Sequence, residues 1–234
     1  MELRGANVLI TGGSSGIGRA VARALVEAGS SVAITGRDER RLNEAAHAVN
    51  ALPIRADVSS EADVLRTYDE VLKAFGHLDV LVNNAGKGVF KPLIEMERSD
   101  FDAVLATNMT GAMLMAREAA KHFISRKRGN IVNIGSTASH RGAPNGTAYY
   151  ASKAGLRSMT ECWRAELRRH NIRVFLINPS EVITGFATAS GFEQKANPTK
   201  LRGEEIAHAV TAVLAMDDRG FATETTVFAT NPKD

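Results

Sequence analysis

The N-terminal segment constrains the fold most. Asn7-Val8-Leu9-Ile10-Thr11 is an apolar run of strand length, followed by the glycine-rich turn Gly12-Gly13-Ser14-Ser15-Gly16-Ile17-Gly18. Arg19-Ala20-Val21-Ala22-Arg23-Ala24-Leu25 then has helical periodicity. The product is a strand–turn–helix unit. Free N–H groups and the dipole at the start of such a helix can receive a phosphate. Glycine lets the backbone approach a pyrophosphate closely. The spacing is G-x-x-x-G-x-G, distinct from the common dinucleotide fingerprint G-x-G-x-x-G. The plainer reading of such a turn is a connector between strand and helix.

The remaining chain repeats this alternation. Strands are predicted at 7–11, 31–35, 53–56, 79–82, 130–135, 172–177 and 224–229, and helices at 16–28, 38–49, 61–75, 99–125, 148–169 and 203–215. Gly29 marks a helix C-terminus, and Ser59 or Ser60 can cap the third helix. Regular alternation with right-handed crossovers builds a doubly wound parallel sheet with helices on both faces, an α/β/α sandwich of Rossmann type. With 234 residues, 44% hydrophobic and 24% charged, and no compositional break, the chain is expected to form one domain over 1–234. Residues 185–202 carry no clear period and read as a long loop.

A second motif carries chemistry. In Tyr149-Tyr150-Ala151-Ser152-Lys153, Tyr149 and Lys153 are four apart on a predicted helix, with β-carbons about 5–6 Å apart. A phenol with a free pKa of roughly 10 exchanges protons poorly at neutral pH. An adjacent ammonium is expected to lower that pKa. Ser136, thirteen residues before Tyr149, can hold a substrate oxygen against the phenol. This equipment suits general acid–base work on a carbonyl or an alcohol. Tyr150 fits neither spacing and reads as a packing residue.

Thr11-Gly-Gly-Ser-Ser-Gly-Ile-Gly18, Asn83-Asn84-Ala85-Gly86, Asn108, Ser136, Tyr149-x-x-x-Lys153 and Asn178-Pro179-Ser180-Glu181-Val182-Ile183-Thr184 follow one another in this order. Together they resemble the short-chain dehydrogenase/reductase family from about residue 5 to residue 184, nearest to its 3-oxoacyl-[acyl-carrier-protein] reductases. The resemblance implies seven strands in the order 3-2-1-4-5-6-7. It places cofactor binding in about 1–130, catalysis and substrate binding in about 131–234, and a substrate lid over about 185–202. It implies a catalytic set of Asn108, Ser136, Tyr149 and Lys153. Tyr149 would be the acid or base. Lys153 would tune it and hold the nicotinamide ribose, while Ser136 orients the carbonyl oxygen. Asn108 would hold a water that links Lys153 to solvent. The cofactor would meet Gly12, Ser14, Ser15, Gly16, Ile17, Gly18, Arg37, Asp57, Val58, Asn84, Ala85, Gly86, Tyr149, Lys153, Val182 and Thr184. Ser180 stands where the family has glycine. The C-terminal Ala229-Thr230-Asn231-Pro232-Lys233-Asp234 lacks the glycine pair of the acyl-carrier group.

The second predicted strand ends at Gly36-Arg37, with glycine where NAD-specific sites carry an acid. An arginine here suits a ribose 2′-phosphate, so NADP(H) is favoured over NAD(H). Asp38 reads as the cap of the next helix. The expected activity is reduction of a ketone or oxidation of a secondary alcohol. The substrate would be an acyl thioester, delivered by an acyl carrier protein, or else a small ketone, aldehyde or sugar. A non-catalytic dinucleotide-binding redox sensor is the alternative from another class.

The formal charge of +3 and pI of about 9.1 are too mild for a dedicated nucleic-acid binder. Arg126-Lys127-Arg128 and Arg168-Arg169-His170 are short basic clusters at helix ends, which suit the helix dipole or an acidic carrier. The six histidines show no metal-ligand spacing, and no metal is expected. The single Cys162 reads as a packed helix residue. No apolar run has the length of a membrane span, and Met1–Gly5 lacks the apolar core of a signal peptide, so a cytoplasmic protein is expected. Met109, Met113, Met115, Met159 and Trp163 on the two long helices suggest buried symmetric pairing, and a homotetramer is expected.

Overall fold

The computed structural model describes residues 1–191 and 197–231. One parallel sheet of seven strands has the order β3-β2-β1-β4-β5-β6-β7. The strands are β1 (Asn7–Ile10), β2 (Ser31–Gly36), β3 (Leu52–Arg55), β4 (Val80–Asn83), β5 (Gly129–Ile134), β6 (Ile172–Pro179) and β7 (Glu224–Val227). The helices are α1 (Gly16–Glu27), α2 (Glu39–Val49), α3 (Glu61–Phe75), α4 (Arg98–Leu105), α5 (Ala112–Arg126), α6 (Thr147–Leu167), α7 (Gly185–Ala189) and α8 (Gly203–Ala215). The expected topology and three-layer architecture are present.

Period-two alternation along each strand divides the core between the faces. Val8 and Ile10 of β1 pack with Val21 and Leu25 of α1, Leu42 of α2 and Ile206 and Val210 of α8. Leu9 between them faces Val64 and Val71 of α3 and Met115 and Phe123 of α5. Both strand faces are therefore buried, as a parallel sheet requires. The caps are those expected. Asp38 accepts from the Arg41 N–H at 3.0 Å and Ser60 from the Asp63 N–H at 3.3 Å.

Three expectations need correction. The predicted helix 99–125 is two helices, α4 and α5, joined by a π turn over Ala106–Gly111. Such wide turns gather at functional sites, and this one holds Asn108. The expected loop 185–202 contains α7, and Val182 bridges Leu201 in parallel pairing. Residues 192–196 of that lid lie outside the described residues. Cys162 is exposed on α6 and is not a packed residue. Of the apolar residues on the long helices, Met115 belongs to the core, while Met113 and Trp163 pack against it partly buried.

Ser180 meets the backbone demand of its position. It is absent from the left-handed region, and its N–H donates to Val227 O at 2.9 Å. Among the described residues, no helix is long and apolar enough to cross a membrane.

Candidate active site

Segments leaving the carboxyl ends of β4 and β5 meet the first turns of α6. Ser136 follows β5 as the cap of a 3-10 turn (Thr137–Ser139), and its Oγ accepts from the Ala138 N–H at 3.1 Å. Tyr149 and Lys153 are one turn apart on α6. Ser136 is close enough to Tyr149 for its side chain to favour the phenolate. Lys153 Nζ lies 5.8 Å from the centroid of the Tyr149 ring and donates to Ile134 O at 2.8 Å. The rings of Phe90 and Phe186 flank Tyr149, with centroids 5.3 and 5.5 Å away. Phe186 belongs to α7, so the lid segment rests on the tyrosine.

Asn108 is buried in the π turn. Its Oδ1 accepts from the Lys87 N–H at 2.8 Å, and its Nδ2 donates to Lys87 O and to Ser152 Oγ, each at 2.9 Å. An α-helical continuation would turn this carboxamide elsewhere. Asn108 thus ties the segment after β4 to α6 and does not touch Lys153 directly. One lone pair of Oδ1 is left for the expected link to solvent.

The glycine turn forms a cradle at the point where strand order reverses between β1 and β4. Gly12 has φ +65°, and a Cβ there would lie 2.9 Å from Ala85 Cα. At Gly18 a Cβ would lie 2.4 Å from Asn84 Nδ2 and 2.5 Å from Gly12 O. Side chains at either position would fill the cradle or push its walls apart. Ser15 precedes α1 without a side-chain capping bond, so the N–H groups of the first turn face outward uncapped. They open on a cleft of about 770 Å³ lined by Ser14, Ser15, Gly16, Thr184, Gly185 and the arginines 19, 23, 41 and 202. Close backbone, open helix N–H groups and an arginine-rich wall fit a dinucleotide pyrophosphate.

The other expected cofactor residues divide. Asn84 donates through Nδ2 to the carbonyls of Thr11 and Gly12 at 2.9 and 3.1 Å, and thus braces the cradle. Ala85 and Gly86 follow it into the site. A Cβ on Gly86 would be 3.7 Å from Asn108 Oδ1 and 4.0 Å from Lys153 Nζ. Asp57 Oδ1 is taken by the N–H and hydroxyl of Ser59 at 2.9 and 2.6 Å, and its Oδ2 lies 3.9 Å from Arg37. Val58 is buried against Gly111 of the π turn. Ile17 and Val182 pack against the core. Thr184 caps α7 by accepting from the Phe186 N–H at 3.3 Å, and its methyl lies 3.2 Å from where a Cβ of Gly16 would be.

The family model for short chain dehydrogenases matches residues 6–195. This chain belongs to the short-chain dehydrogenase/reductase family. An oxidoreductase of Sarocladium schorii is 34% identical over 97% of the chain and 94% of its own length. Among solved structures, a 3-ketoacyl-(acyl-carrier-protein) reductase from Brucella melitensis complexed with NADH superposes with a TM-score of 0.89. It is 31% identical, with 97% of this chain and 98% of that one covered. An alcohol dehydrogenase of Thermococcus sibiricus complexed with 5-hydroxy-NADP gives a TM-score of 0.88 at 28% identity, covering 98% and 99%.

The electrostatics of this short-chain dehydrogenase/reductase site differ from the simple Tyr–Lys expectation. Burial pushes the Tyr149 phenol up, the Ser136 side chain opposes that, and Tyr150 adds to it. Burial also pushes the Lys153 ammonium down to about 8. Nζ points at Ile134 O, so in this geometry desolvation outweighs any help the lysine gives the phenolate. The phenol is therefore held protonated at neutral pH, the form that can give a proton to a carbonyl oxygen.

Sequence reasoning missed Ser152, Phe90, Phe186 and Arg41. Ser152 had a signal, since it stands one turn after Tyr149 and accepts Asn108. Arg41, exposed on α2, gained its place only when α1 and α2 packed side by side.

Burial of Lys153 has a stability consequence with a definite sign. Between about pH 8 and the ordinary lysine value of 10.5, the unfolded chain binds a proton at this lysine that the folded chain has released. Folded stability should therefore rise with pH through that window, relative to Lys153→Met, by on the order of 3 kcal/mol at most. Urea midpoints of both proteins from pH 7.5 to 10.5 test this. Parallel curves would show that Lys153 pays no desolvation penalty.

Proposed function

We propose that this chain is an NADP-dependent oxidoreductase that reduces a ketone, or oxidises the secondary alcohol in reverse. The observation that carries the reading is the convergence of Ser136, Tyr149 and Lys153 beside a glycine cradle, with Asn108 fixed behind them. A nicotinamide bound beside these residues would supply or accept the hydride. The Ser136 hydroxyl donates to the substrate oxygen and sets its position against the phenol. Tyr149 gives its proton to that oxygen as negative charge develops. Lys153, charged below about pH 8, compensates the phenolate that results. Phe90 and Phe186 make the surroundings of the phenol apolar, which strengthens these hydrogen bonds and suits a ketone with an apolar flank.

Support for NADP comes from the mouth of the cradle. Gly36 offers no carboxylate to a ribose, and a Cβ there would lie 3.2 Å from Ser14 Oγ. Arg37 follows with an exposed side chain in a loose 3.9 Å pair with Asp57, free to turn to a 2′-phosphate. Arg41 lines the adjoining cleft. A β-ketoacyl thioester is the first substrate to test, with small ketones next. For delivery by an acidic carrier, Lys127, Arg128, Arg168 and Arg169 are exposed, while Arg126 is half-buried. Arg126 and Arg128 are each 3.4 Å from Asp79, a buried carboxylate they serve to balance.

Tyr149→Phe should lower the rate of NADPH-dependent ketone reduction by on the order of 10²–10⁴ while leaving NADPH affinity within a factor of about two. Tyr150→Phe should change either quantity little. Steady-state rates across β-ketoacyl thioesters, small ketones, aldehydes and sugars, with calorimetric NADPH binding, check both. A more damaging Tyr150→Phe would move the acid to the neighbouring residue.

Arg37→Ala should weaken NADPH binding by about tenfold or more and NADH binding much less, because only the 2′-phosphate pairs with the guanidinium. Titration of both proteins with both dinucleotides measures the split. Equal weakening would make Arg37 a residue of the fold.

A further inference from the structure

Behind the serine lies a polar network that the reaction described above does not use. Asn178, fully buried near the end of β6, accepts through Oδ1 from the Ser136 N–H at 3.2 Å and from Ser139 Oγ at 3.4 Å. Its Nδ2 donates to Glu224 Oε1 at 2.6 Å. Glu224 is the first residue of β7, on the far side of β6 from Ser136. The same Oε1 lies 3.0 Å from His140 Nε2, and Oε2 lies 3.7 Å from Arg157 Nε.

A second observation shows that the backbone is built around this carboxamide. A Cβ on Gly135, the residue before Ser136, would lie 2.3 Å from Asn178 Oδ1. Only glycine leaves the oxygen room to reach the Ser136 N–H.

We propose that Glu224 is a positioning residue for Ser136 and acts through Asn178. A carboxamide can sit in two orientations that differ only by exchange of oxygen and nitrogen. A carboxylate accepts but does not donate, so Glu224 selects the orientation that turns NH₂ toward itself. The oxygen is then forced toward the Ser136 N–H. In the flipped orientation, oxygen would face the Glu224 carboxylate and NH₂ would face the Ser136 N–H, losing the bonds to both. Glu224 thereby fixes the backbone that carries the Ser136 hydroxyl toward Tyr149. Its carboxylate is on the other side of Asn178 from the reacting atoms and takes no part in proton transfer.

This inference rests on the catalytic reading of Ser136, and the test separates the two. Wild type, Glu224→Ala, Glu224→Gln, Ser136→Ala and the Glu224→Ala/Ser136→Ala pair are compared on a ketone the enzyme reduces. Glu224→Ala should lower kcat about tenfold or more, with NADPH affinity and the urea midpoint little changed. Glu224→Gln, whose amide oxygen can still accept, should recover most of that loss. Ser136→Ala should cost much in the wild type and less than about threefold more in the Glu224→Ala background. If Glu224→Ala does not fold, Glu224→Asp, which withdraws the carboxylate by one methylene, takes its place with the same expectations. Wild-type kcat in Glu224→Ala, or fully additive losses in the double variant, would overturn the link to Ser136 alone. A harmless Ser136→Ala would overturn the catalytic reading and the link together.

Discussion

The molecule depends on how β1 and β4 are pinned together at their carboxyl ends. Thr11 Oγ1 accepts from the N–H groups of Asn84 and Ala85, each at 3.0 Å, and Asn84 returns its amide to the carbonyls of Thr11 and Gly12. Neighbouring parallel strands whose crossovers leave in opposite directions must open a crevice there. These four bonds hold the crevice at a fixed width. They also account for the glycines, since a side chain at Gly12 or Gly18 would strike the groups that make them. The cradle, the uncapped start of α1 and the arginine-walled cleft all follow from that constraint.

The other half of the site is governed by burial. A lysine ammonium and a tyrosine phenol are each enclosed, and desolvation disfavours the charged form of both. Lys153 is pushed down and Tyr149 up, so the enclosed pair favours neutral phenol at physiological pH. In the proposed reaction that state serves reduction, where the first demand on the tyrosine is to give a proton. Oxidation needs the phenolate and should call for a higher pH. The rings of Phe90 and Phe186 maintain the enclosure, and the hydroxyl of Ser136 works against it.

The sequence made some of this legible and hid the rest for physical reasons. Strand and helix positions followed from period and from caps such as Asp38 and Ser60, because both are local. The Tyr149–Lys153 pair was legible because helix geometry turns a spacing of four into proximity. The nearness of Ser136 came from the order of motifs, since no local rule relates the end of a strand to a helix that starts after a loop. The break between α4 and α5 was hidden: Ala106–Gly111 has no proline and an intact helical pattern. The wide turn is imposed from outside, by the bonds of Asn108 to Lys87 and Ser152 and the press of Gly111 on Val58. The exposure of Cys162 and the partnership of Asn178 with Glu224 depend likewise on which elements pack together.

The central claim is that this site stores a protonated tyrosine beside a buried lysine, ready to protonate a carbonyl oxygen. The most direct measurement is the ultraviolet absorbance of phenolate, titrated in wild type and in Tyr149→Phe, with the difference assigned to Tyr149. The difference should emerge only above the ordinary tyrosine value of 10.0. A phenolate signal from Tyr149 already present near pH 7 would contradict the account, and would show the lysine's charge prevailing over burial.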